Sequence, residues 1–347
     1  MKLSIIIPAY NVQNNIHNTL FSLLNQSNKN FEIILVNDGS TDNTLEVVER
    51  ILSKNNLINY KIVNKENGGV SSARNVGILE AQGEYLYFLD GDDYVSPNMV
   101  SIVNSYIINN NYPDIIAWGY DNVDENGNVL REYFDRFDKN KIKLQKMTGL
   151  EALENILLNK TFWIWTCSAV YKKELITYNN LFYSEGCSSG EDHEFIFKAL
   201  SIAKEVIFVD KVLSFYVQRE GSISNSYNIR RFDVVGALQR SANYIKINAN
   251  DNILVDYLEN NFLVDNFFYN FDSCLRYIYS SKKLTSIVNF SKASRFVNEI
   301  EIAYPGLTTK IKKKIIKSIK TAPLKVKIKC CCYLISPLLY IILTNIF

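Results

Sequence analysis

The first ninety residues alternate between short apolar runs and amphipathic helical patterns. The apolar runs predict four strands, at 3–7, 31–36, 60–63 and 85–89. Between them, apolar and small residues recur at helical spacing around 16–24, 45–52 and 73–81. Strands that alternate with helices in this way are typical of a mostly parallel sheet covered by helices. The sequence therefore predicts an α/β fold that begins βαβαβαβ.

The chain is long enough for more than one domain and has the composition of a globular protein. Of its 347 residues, 47% are hydrophobic and 21% are charged, which excludes wholesale disorder and a polytopic membrane protein. Beyond about residue 220 the pattern becomes helical and rich in Leu, Phe and Tyr. We predict an α/β domain at 1–220, a helical region at 221–309 and a basic and apolar tail at 310–347.

Charge is distributed unevenly along the chain. No Asp or Glu follows Glu301, whereas nine Lys lie between Lys310 and Lys329. The remainder holds 29 basic and 36 acidic residues, which argues against a nucleic-acid-binding surface on the main body. Uncharged residues complete the tail up to Phe347, and this combination is typical of a peripheral anchor on an anionic membrane surface. A bilayer span, packing against the helical region and a dimer contact are the alternatives.

Two features bear on the compartment. The six cysteines show no Cys-x-x-Cys spacing, which indicates a reducing compartment and no zinc site. The apolar run at the N-terminus is short and contains Pro8. It therefore predicts a first strand and not a signal peptide.

Three carboxylates follow the fourth predicted strand, at Asp90, Asp92 and Asp93, with Gly91 between the first two. Acidic groups this close repel one another unless a cation or a proton intervenes, and oxygen ligands suit Mg²⁺ or Mn²⁺. A metal held here would bridge two phosphates and neutralise charge as a nucleotide leaves. The alternative is a solvated acidic turn in which Asp93 or Ser96 caps the next helix.

Polar residues also follow the other strands, at the edge where open α/β sheets bind ligands. Asp38 has the chemistry to accept a hydrogen bond from a ribose or a base, while Asp42 is expected to cap the next helix. Between Lys65 and Asn75, a Gly-Gly turn precedes a helix start, where backbone NH groups and Arg74 would meet a diphosphate. This stretch contains no Walker A or Gly-x-Gly-x-x-Gly pattern.

Five stretches, taken in order, resemble the family 2 glycosyltransferases, which have the GT-A fold. They read SIIIPAYN, EIILVNDGSTDNT, NGGVSSARN, YLYFLDGDDYVSP and SGEDHEF, within residues 1–220. The resemblance implies an inverting transfer of a hexose from a nucleotide diphosphate sugar, with a UDP-sugar as the family's commonest donor. It places the catalytic base at Asp192 and an acceptor-orienting acid at Glu191. The alternative for both acids is a place in the first turn of a helix, favoured by the helix dipole.

The resemblance also implies a donor site and a metal site. Asp92 matches the direct ligand of Mn²⁺ or Mg²⁺, and Asp90 lies nearer the ribose and the diphosphate. Arg219 falls in a stretch that resembles the family's mobile loop after the last strand. The remaining positions assigned to nucleotide-sugar binding are Pro8, Tyr10, Asn11, Asp38, Asn67, Gly68, Arg74 and Gly91.

A carboxylate base opposite a metal suits displacement at an anomeric carbon through an oxocarbenium-like transition state. Clustered lysines and the supply of nucleotide sugars predict a cytoplasmic position, peripheral on the inner face of the cell membrane. The acceptor would be a glycan or lipid-linked glycan for a surface polysaccharide such as capsule or lipopolysaccharide. A non-catalytic nucleotide-sugar or glycan-binding subunit and a nucleotidyltransferase are the alternatives. The sequence leaves the sugar, the linkage and the oligomeric state open.

Aromatic and histidine side chains give a weaker signal. Trp118, Trp163 and Trp165 predict either core packing, which is favoured, or a platform on which a sugar stacks. His193 adjoins the predicted base, and a solvated helix position is favoured over a contact with metal or phosphate.

Overall fold

The computed structural model describes residues 3–55, 57–137, 145–219, 227–278, 287–319 and 324–344. The chain divides into two compact units. One comprises Met1–Cys187 and Glu191–Glu220, and the other comprises Ser188–Gly190 and Gly221–Phe347.

The first unit is an α/β structure. Its strands are β1 (Leu3–Ala9), β2 (Phe31–Asp38), β3 (Asn59–Lys65), β4 (Tyr85–Phe88), β5 (Tyr94–Val95), β6 (Ile115–Val123), β7 (Val129–Arg131), β8 (Gln145–Met147), β9 (Ala169–Lys172) and β10 (Val206–Val217). Its helices are α1 (Ile16–Leu24), α2 (Thr44–Leu52), α3 (Val70–Glu80), α4 (Met99–Asn109), α5 (Tyr133–Arg136), α6 (Gly149–Leu157), α7 (Lys173–Tyr178) and α8 (Glu191–Ile202).

These strands form one mixed sheet in the described residues, with the order β3-β2-β1-β4-β9-β6-β10-β5, β7 beside β6 and β8 beside β10. The predicted βαβαβαβ half is confirmed, because β1 to β4 pair in parallel with the helices between them. β9 lies antiparallel between β4 and β6. Before β9 begins the chain turns, because Ser168 Oγ accepts from Trp165 N and donates to Trp165 O.

The core of this unit fixes where α3 lies. Every residue of β1 and β2 is buried, as expected of strands covered on both faces. Gly77 of α3 lies so close to β1 that an added Cβ would stand 2.2 Å from Ile6 Cγ2. Only a residue without a side chain allows this approach. This contact holds α3 on the sheet and thereby positions Arg74, which lies in the same helix.

The second unit consists of helices. They are α9 (Asp233–Asn248), α10 (Asn252–Tyr257), α11 (Leu263–Ile278), α12 (Ile287–Ala303), α13 (Leu307–Ser318), α14 (Leu324–Ile335) and α15 (Pro337–Thr344). A π-helical turn at Leu258–Phe262 separates α10 from α11, so this stretch is not one regular α-helix. The predicted helical character of the C-terminal region is confirmed.

Part of the C-terminal tail packs into this unit. Tyr333 and Tyr340 are buried, and both rings contact Phe271, with centroids 5.7 and 5.6 Å away. Tyr340 OH donates to Asp272 Oδ1 at 2.6 Å. The predicted alternative of packing against the helical region therefore applies to these residues. Among the described residues, no helix is both long enough and apolar enough to cross a bilayer.

Candidate donor and catalytic site

Asp38, the last residue of β2, organises the Gly-Gly turn before α3. Its carboxylate accepts hydrogen bonds from Gly68 N at 2.9 Å and Gly69 N at 2.8 Å, and Lys65 Nζ lies 2.6 Å away. Asn67 Nδ2 donates to Asp38 O at 2.9 Å. Asp38 is only 2% exposed, so its first role is to support the turn. Its contact with a nucleoside stays a prediction.

Asn11 connects the end of β1 with the loop after β2. It has a φ of 51°, a left-handed conformation that Asn tolerates better than most residues. Its Oδ1 accepts from Thr41 N at 2.8 Å, and its own N donates to Ser40 Oγ at 3.2 Å. Tyr10 beside it is 49% exposed. The two loops at this edge of the sheet are thus fastened to each other, with the Tyr10 ring in solvent.

Two further residues at this edge have structural roles. Asp42 Oδ1 accepts from the N of Thr44, the first residue of α2, at 3.0 Å, but the N-cap position itself is Asn43. Burial favours a higher pKa for Asp42, but hydrogen bonds from Thr44 and Gln13 outweigh burial and hold the pKa below its usual value. Gly91 packs closely, since an added Cβ would lie 3.2 Å from Pro8 O. Pro8 and Gly91 therefore shape the backbone next to the acidic cluster.

The three carboxylates after β4 have three different environments. Asp93 is 1% exposed and accepts from Val217 N at 2.8 Å. Burial and the charge of Asp90 raise the pKa of Asp93 well above its usual value. Asp92 forms an ion pair with Arg219. The cluster is therefore not a solvated turn, and Asp93 bonds to the end of β10 and not to the next helix.

Arg74 lies between the acidic cluster and α8. Its Nη2 donates to Asp90 Oδ1 at 2.8 Å, and its Nη1 is 3.6 Å from Glu191 Oε1. The guanidinium carbon stands 5.0 Å from the centroid of the Tyr183 ring. Burial favours a lower pKa for Arg74, but the charge of Asp90 outweighs burial, so the pKa of Arg74 is raised. The side chain is 4% exposed, so Arg74 acts here as a buried bridge between carboxylates, and a phosphate contact stays a prediction.

Glu191 and Asp192 begin α8, where the helix dipole favours acidic groups. Burial and the neighbouring charge of Asp192 raise the pKa of Glu191 to about 7, although the charge of Arg74 opposes the shift. Asp192 Oδ1 accepts from His193 N at 2.7 Å. Through Arg74, the structure joins the Asp90 side of the site to the first turn of α8. That arrangement can place an acid-base pair across from an anion-binding edge.

The sequence did not reveal what holds the approach to α8. Asn75 Oδ1 accepts from Tyr183 N at 2.8 Å, and Asn75 Nδ2 donates to Tyr183 O at 3.0 Å. The Tyr183 ring stacks on Phe195 at 4.2 Å. Asn75 belonged to a motif, but its partner lies 108 residues further on. No local spacing signals such a pairing.

The acidic cluster fits a hard divalent cation. The side chains of Asp90 and Asp92 are 27% and 32% exposed and offer carboxylate oxygens, the ligands that Mg²⁺ and Mn²⁺ prefer. In the described residues, ligand atoms of Asp90, Asp93 and Cys167 also lie within 4.8 Å of one another. Burial raises the pKa of the Cys167 thiol well above its usual value, and a buried thiol is a poor ligand for such ions. Asp90 and Asp92 would hold the metal.

The comparison with protein families decides the class. Residues 4–177 match the model of glycosyl transferase family 2. The chain belongs to this family. The predicted family and the GT-A fold with a helical C-terminal region are thereby confirmed.

Relatives of this chain come from several bacteria. EpsJ of Bacillus subtilis (strain 168), an uncharacterised glycosyltransferase, is 34% identical over 223 residues, which is 64% of this chain and 62% of EpsJ. TarS of Staphylococcus aureus (strain Mu50), a poly(ribitol-phosphate) beta-N-acetylglucosaminyltransferase, is 29% identical over 273 residues, 76% of this chain and 44% of TarS. The matches thus cover less than two thirds of these two relatives.

Solved structures show the same fold. The crystal structure of S. aureus TarS 1–349 in complex with UDP-GlcNAc has a TM-score of 0.68 at 22% identity, covering 99% of this chain and 91% of that one. The mannosyltransferase PcManGT from Pyrobaculum calidifontis, in complex with GDP-Man and Mn²⁺, has a TM-score of 0.54 at 14% identity, covering 99% and 87%.

Proposed function

We propose that this glycosyltransferase moves a hexose from a UDP-sugar to a hydroxyl of a glycan or lipid-linked glycan, with inversion, in surface polysaccharide biosynthesis. The observation that carries the proposal is the Arg74 bridge, which joins Asp90 to Glu191 beside Asp192. A transferase of this kind needs acidic groups on two sides of one sugar, and the bridge connects such groups. TarS, which is named for N-acetylglucosaminyl transfer, supports this class of reaction.

On the donor side, Asp90 and Asp92 would hold Mn²⁺ or Mg²⁺. When bound there, the metal would supply positive charge that offsets the charge of the leaving UDP. The TarS complexes with UDP and UDP-GlcNAc support the choice of nucleotide, and the Mn²⁺ complex of PcManGT supports the metal. Nucleoside and diphosphate would lie at the strand ends that carry the following residues: Pro8, Tyr10, Asn11, Asp38, Asn67, Gly68, Gly91 and Arg219.

On the acceptor side, Asp192 takes the proton of the attacking hydroxyl. The new glycosidic bond forms on one face of the anomeric carbon while the bond to the UDP oxygen breaks on the other. Glu191, with a pKa of about 7, is partly protonated near neutrality and can donate a hydrogen bond to the acceptor. Negative charge nearby also favours an oxocarbenium-like transition state.

The protein would work on the inner, cytoplasmic face of the cell membrane. Lys313, Ile316 and Lys317 of α13 are exposed, and Ile328 and Ile335, one heptad apart on α14, are 56% and 73% exposed. Basic and apolar side chains exposed together favour contact with anionic headgroups. Flotation with anionic and with neutral vesicles tests this. The pair of changes Lys313→Glu and Lys317→Glu should reduce flotation with anionic vesicles, and unchanged flotation would exclude the surface.

The catalytic proposal is tested with UDP-sugars and Mn²⁺ by measuring sugar transfer and slow donor hydrolysis. Asp92→Ala and Asp192→Asn should each abolish transfer, whereas Glu49→Gln on the exposed face of α2 is the matched loss of one acid. Retained UDP binding without any turnover in the unaltered protein would favour a binding subunit. Release of pyrophosphate would favour a nucleotidyltransferase.

A further inference from the structure

The three tryptophans named in the sequence analysis have different surroundings. Trp118 is fully buried, and its Nε1 donates to Ser214 Oγ at 2.8 Å, so it belongs to the core. Trp163 and Trp165 are only partly buried. Both lie on the segment between α6 and β9. Because both rings are partly exposed, they can contact a ligand as well as pack against neighbouring residues.

The two partly buried tryptophan rings have aromatic neighbours, one of which is next to the proposed base in sequence. Trp163 meets the ring of His193, the neighbour of Asp192, edge-on at 5.2 Å. The Trp165 ring lies 5.0 Å from that of Tyr120 at the end of β6. Burial raises the pKa of Tyr120, and the charge of Asp192 adds to this effect. Trp163 therefore lies beside the residue next to the carboxylate that would activate the acceptor, and Trp165 packs on Tyr120.

The guanidinium group of Arg136 lies against the Tyr120 ring. The guanidinium carbon of Arg136 stands 4.6 Å from the centroid of the Tyr120 ring, and its Nη2 donates to Tyr120 O at 2.9 Å. Arg136 Nε is buried, and within the described part of the chain it has no hydrogen-bond partner. A cation that stacks on an aromatic face and retains a spare donor is suited to an anionic ligand group.

The position of Arg136 is fixed by its own short helix, α5. Tyr133 OH donates to Trp163 O at 2.7 Å and accepts from Trp163 N at 2.8 Å. Asp121 Oδ1 accepts from Tyr133 N at 2.7 Å. Gly119 leaves room for the Tyr133 ring, since an added Cβ would lie 2.9 Å from Tyr133 Cδ1. α5, the Trp163 segment and the end of β6 are thus linked into one framework.

We infer that Trp165 and Arg136, supported from behind by the buried Tyr120 ring, form an acceptor subsite for a hydroxylated acceptor that carries a phosphate group. The inference rests on the proposed function. The partly exposed Trp165 ring contacts the C–H face of a sugar or polyol, while Arg136 pairs with the phosphate. The acceptor hydroxyl then faces Asp192. A polyol phosphate and a lipid-linked sugar phosphate share this chemistry.

The test compares Arg136→Gln and Arg136→Lys with the unaltered protein. The acceptor probes are ribitol 5-phosphate, ribitol, and glucose linked through a diphosphate to a short prenyl chain. Arg136→Gln should raise KM about tenfold or more for whichever phosphorylated probe is used, leave kcat and slow donor hydrolysis within about twofold, and leave transfer to ribitol unchanged. Arg136→Lys should restore part of the loss, because the charge returns without the planar donor fork.

Trp165→Phe is the second variant, because it keeps an aromatic face and preserves packing against Tyr120. It should raise KM for all three probes, while Mn²⁺-dependent donor hydrolysis persists. Equal effects of Arg136→Gln on ribitol and on ribitol 5-phosphate would overturn the phosphate assignment. A parallel fall in donor hydrolysis would show a structural role instead. Absence of both transfer and hydrolysis in the unaltered protein would refute the proposed function, a result distinct from either of these.

Discussion

Replacing Arg74 by Met tests whether one buried cation holds the two acidic parts of the site together. The side chain is 4% exposed and lies 2.8 Å from Asp90 and 3.6 Å from Glu191. Removal of one partner from a buried ion pair costs about 3–5 kcal/mol. Asp90 is 27% exposed, and Glu191 can take up a proton. Both effects reduce the cost, so we expect a loss of about 3 kcal/mol in the free energy of unfolding at pH 8.

Two conditions should change this loss in known directions. At pH 6 it should shrink, because Glu191 has a raised pKa of about 7 that rises further without Arg74. At one fixed Mn²⁺ concentration the loss should also shrink, because a variant without the guanidinium beside Asp90 should bind the cation more tightly and gain more stability from it; an ion at a hundred times its Kd contributes about 2.7 kcal/mol.

The assay is urea unfolding followed by tryptophan fluorescence, with and without MnCl₂. Arg50→Met, at the exposed end of α2, is the matched control and should change the free energy of unfolding by less than about 0.5 kcal/mol. The double variant with Asp90→Asn should lose less than the sum of the single losses. A loss for Arg74→Met no larger than the control's would refute the bridge.

Three further predictions concern stability. Folding raises the pKa of Glu191 to about 7, so its contribution to stability falls as pH rises from the pKa of the unfolded chain to about 7. Glu191→Gln should therefore stabilise the protein by about 1–3 kcal/mol at pH 8 and have little effect at pH 4, as measured by urea unfolding. Gly77→Ala should cost about 1–3 kcal/mol despite its better helix propensity, because Ile6 occupies the space, whereas Gly236→Ala, which meets only the flexible Arg240 side chain, should not destabilise. Asp93→Asn should be tolerated, because the amide oxygen still accepts from Val217 N, while Asp93→Ala should cost about 1–3 kcal/mol. The first expectation would be contradicted by a loss of stability in Glu191→Gln at pH 8. The second would be contradicted by stabilisation in Gly77→Ala, and the third by equal effects of the two Asp93 variants.

Local patterns predicted the elements well, since the periodicity of apolar residues reports on burial. The runs at 3–7 and 31–36 lie within β1 and β2, and the acidic motif follows β4 as expected. The position of β9 between β4 and β6 was not predictable, because pairing between distant strands leaves no mark in local spacing. The apolar end of the tail showed the same limit. Its composition suggested lipid contact, yet Tyr333 and Tyr340 are buried in protein.

For the site, motif order identified the carboxylates but not their partners. No local spacing indicated that Arg74 would lie between Asp90 and Glu191, since that contact depends on how α3 packs on the sheet. Arg136 carried no motif, and its place beside Tyr120 follows from the hydrogen bonds of Tyr133. Residue type and spacing therefore indicated the chemistry, whereas the packing of distant segments determines which groups share it.

The ion pair between Arg219 and Asp92 has a thermodynamic consequence. A cation that approaches Asp92 competes with the guanidinium, and a donor diphosphate offers that guanidinium another anion. Each ligand should therefore bind more tightly in the presence of the other, and by linkage the two enhancements must be equal. Under the proposed function, substrate-free protein would then hold its metal weakly, and UDP and the ion would leave together at the end of each cycle.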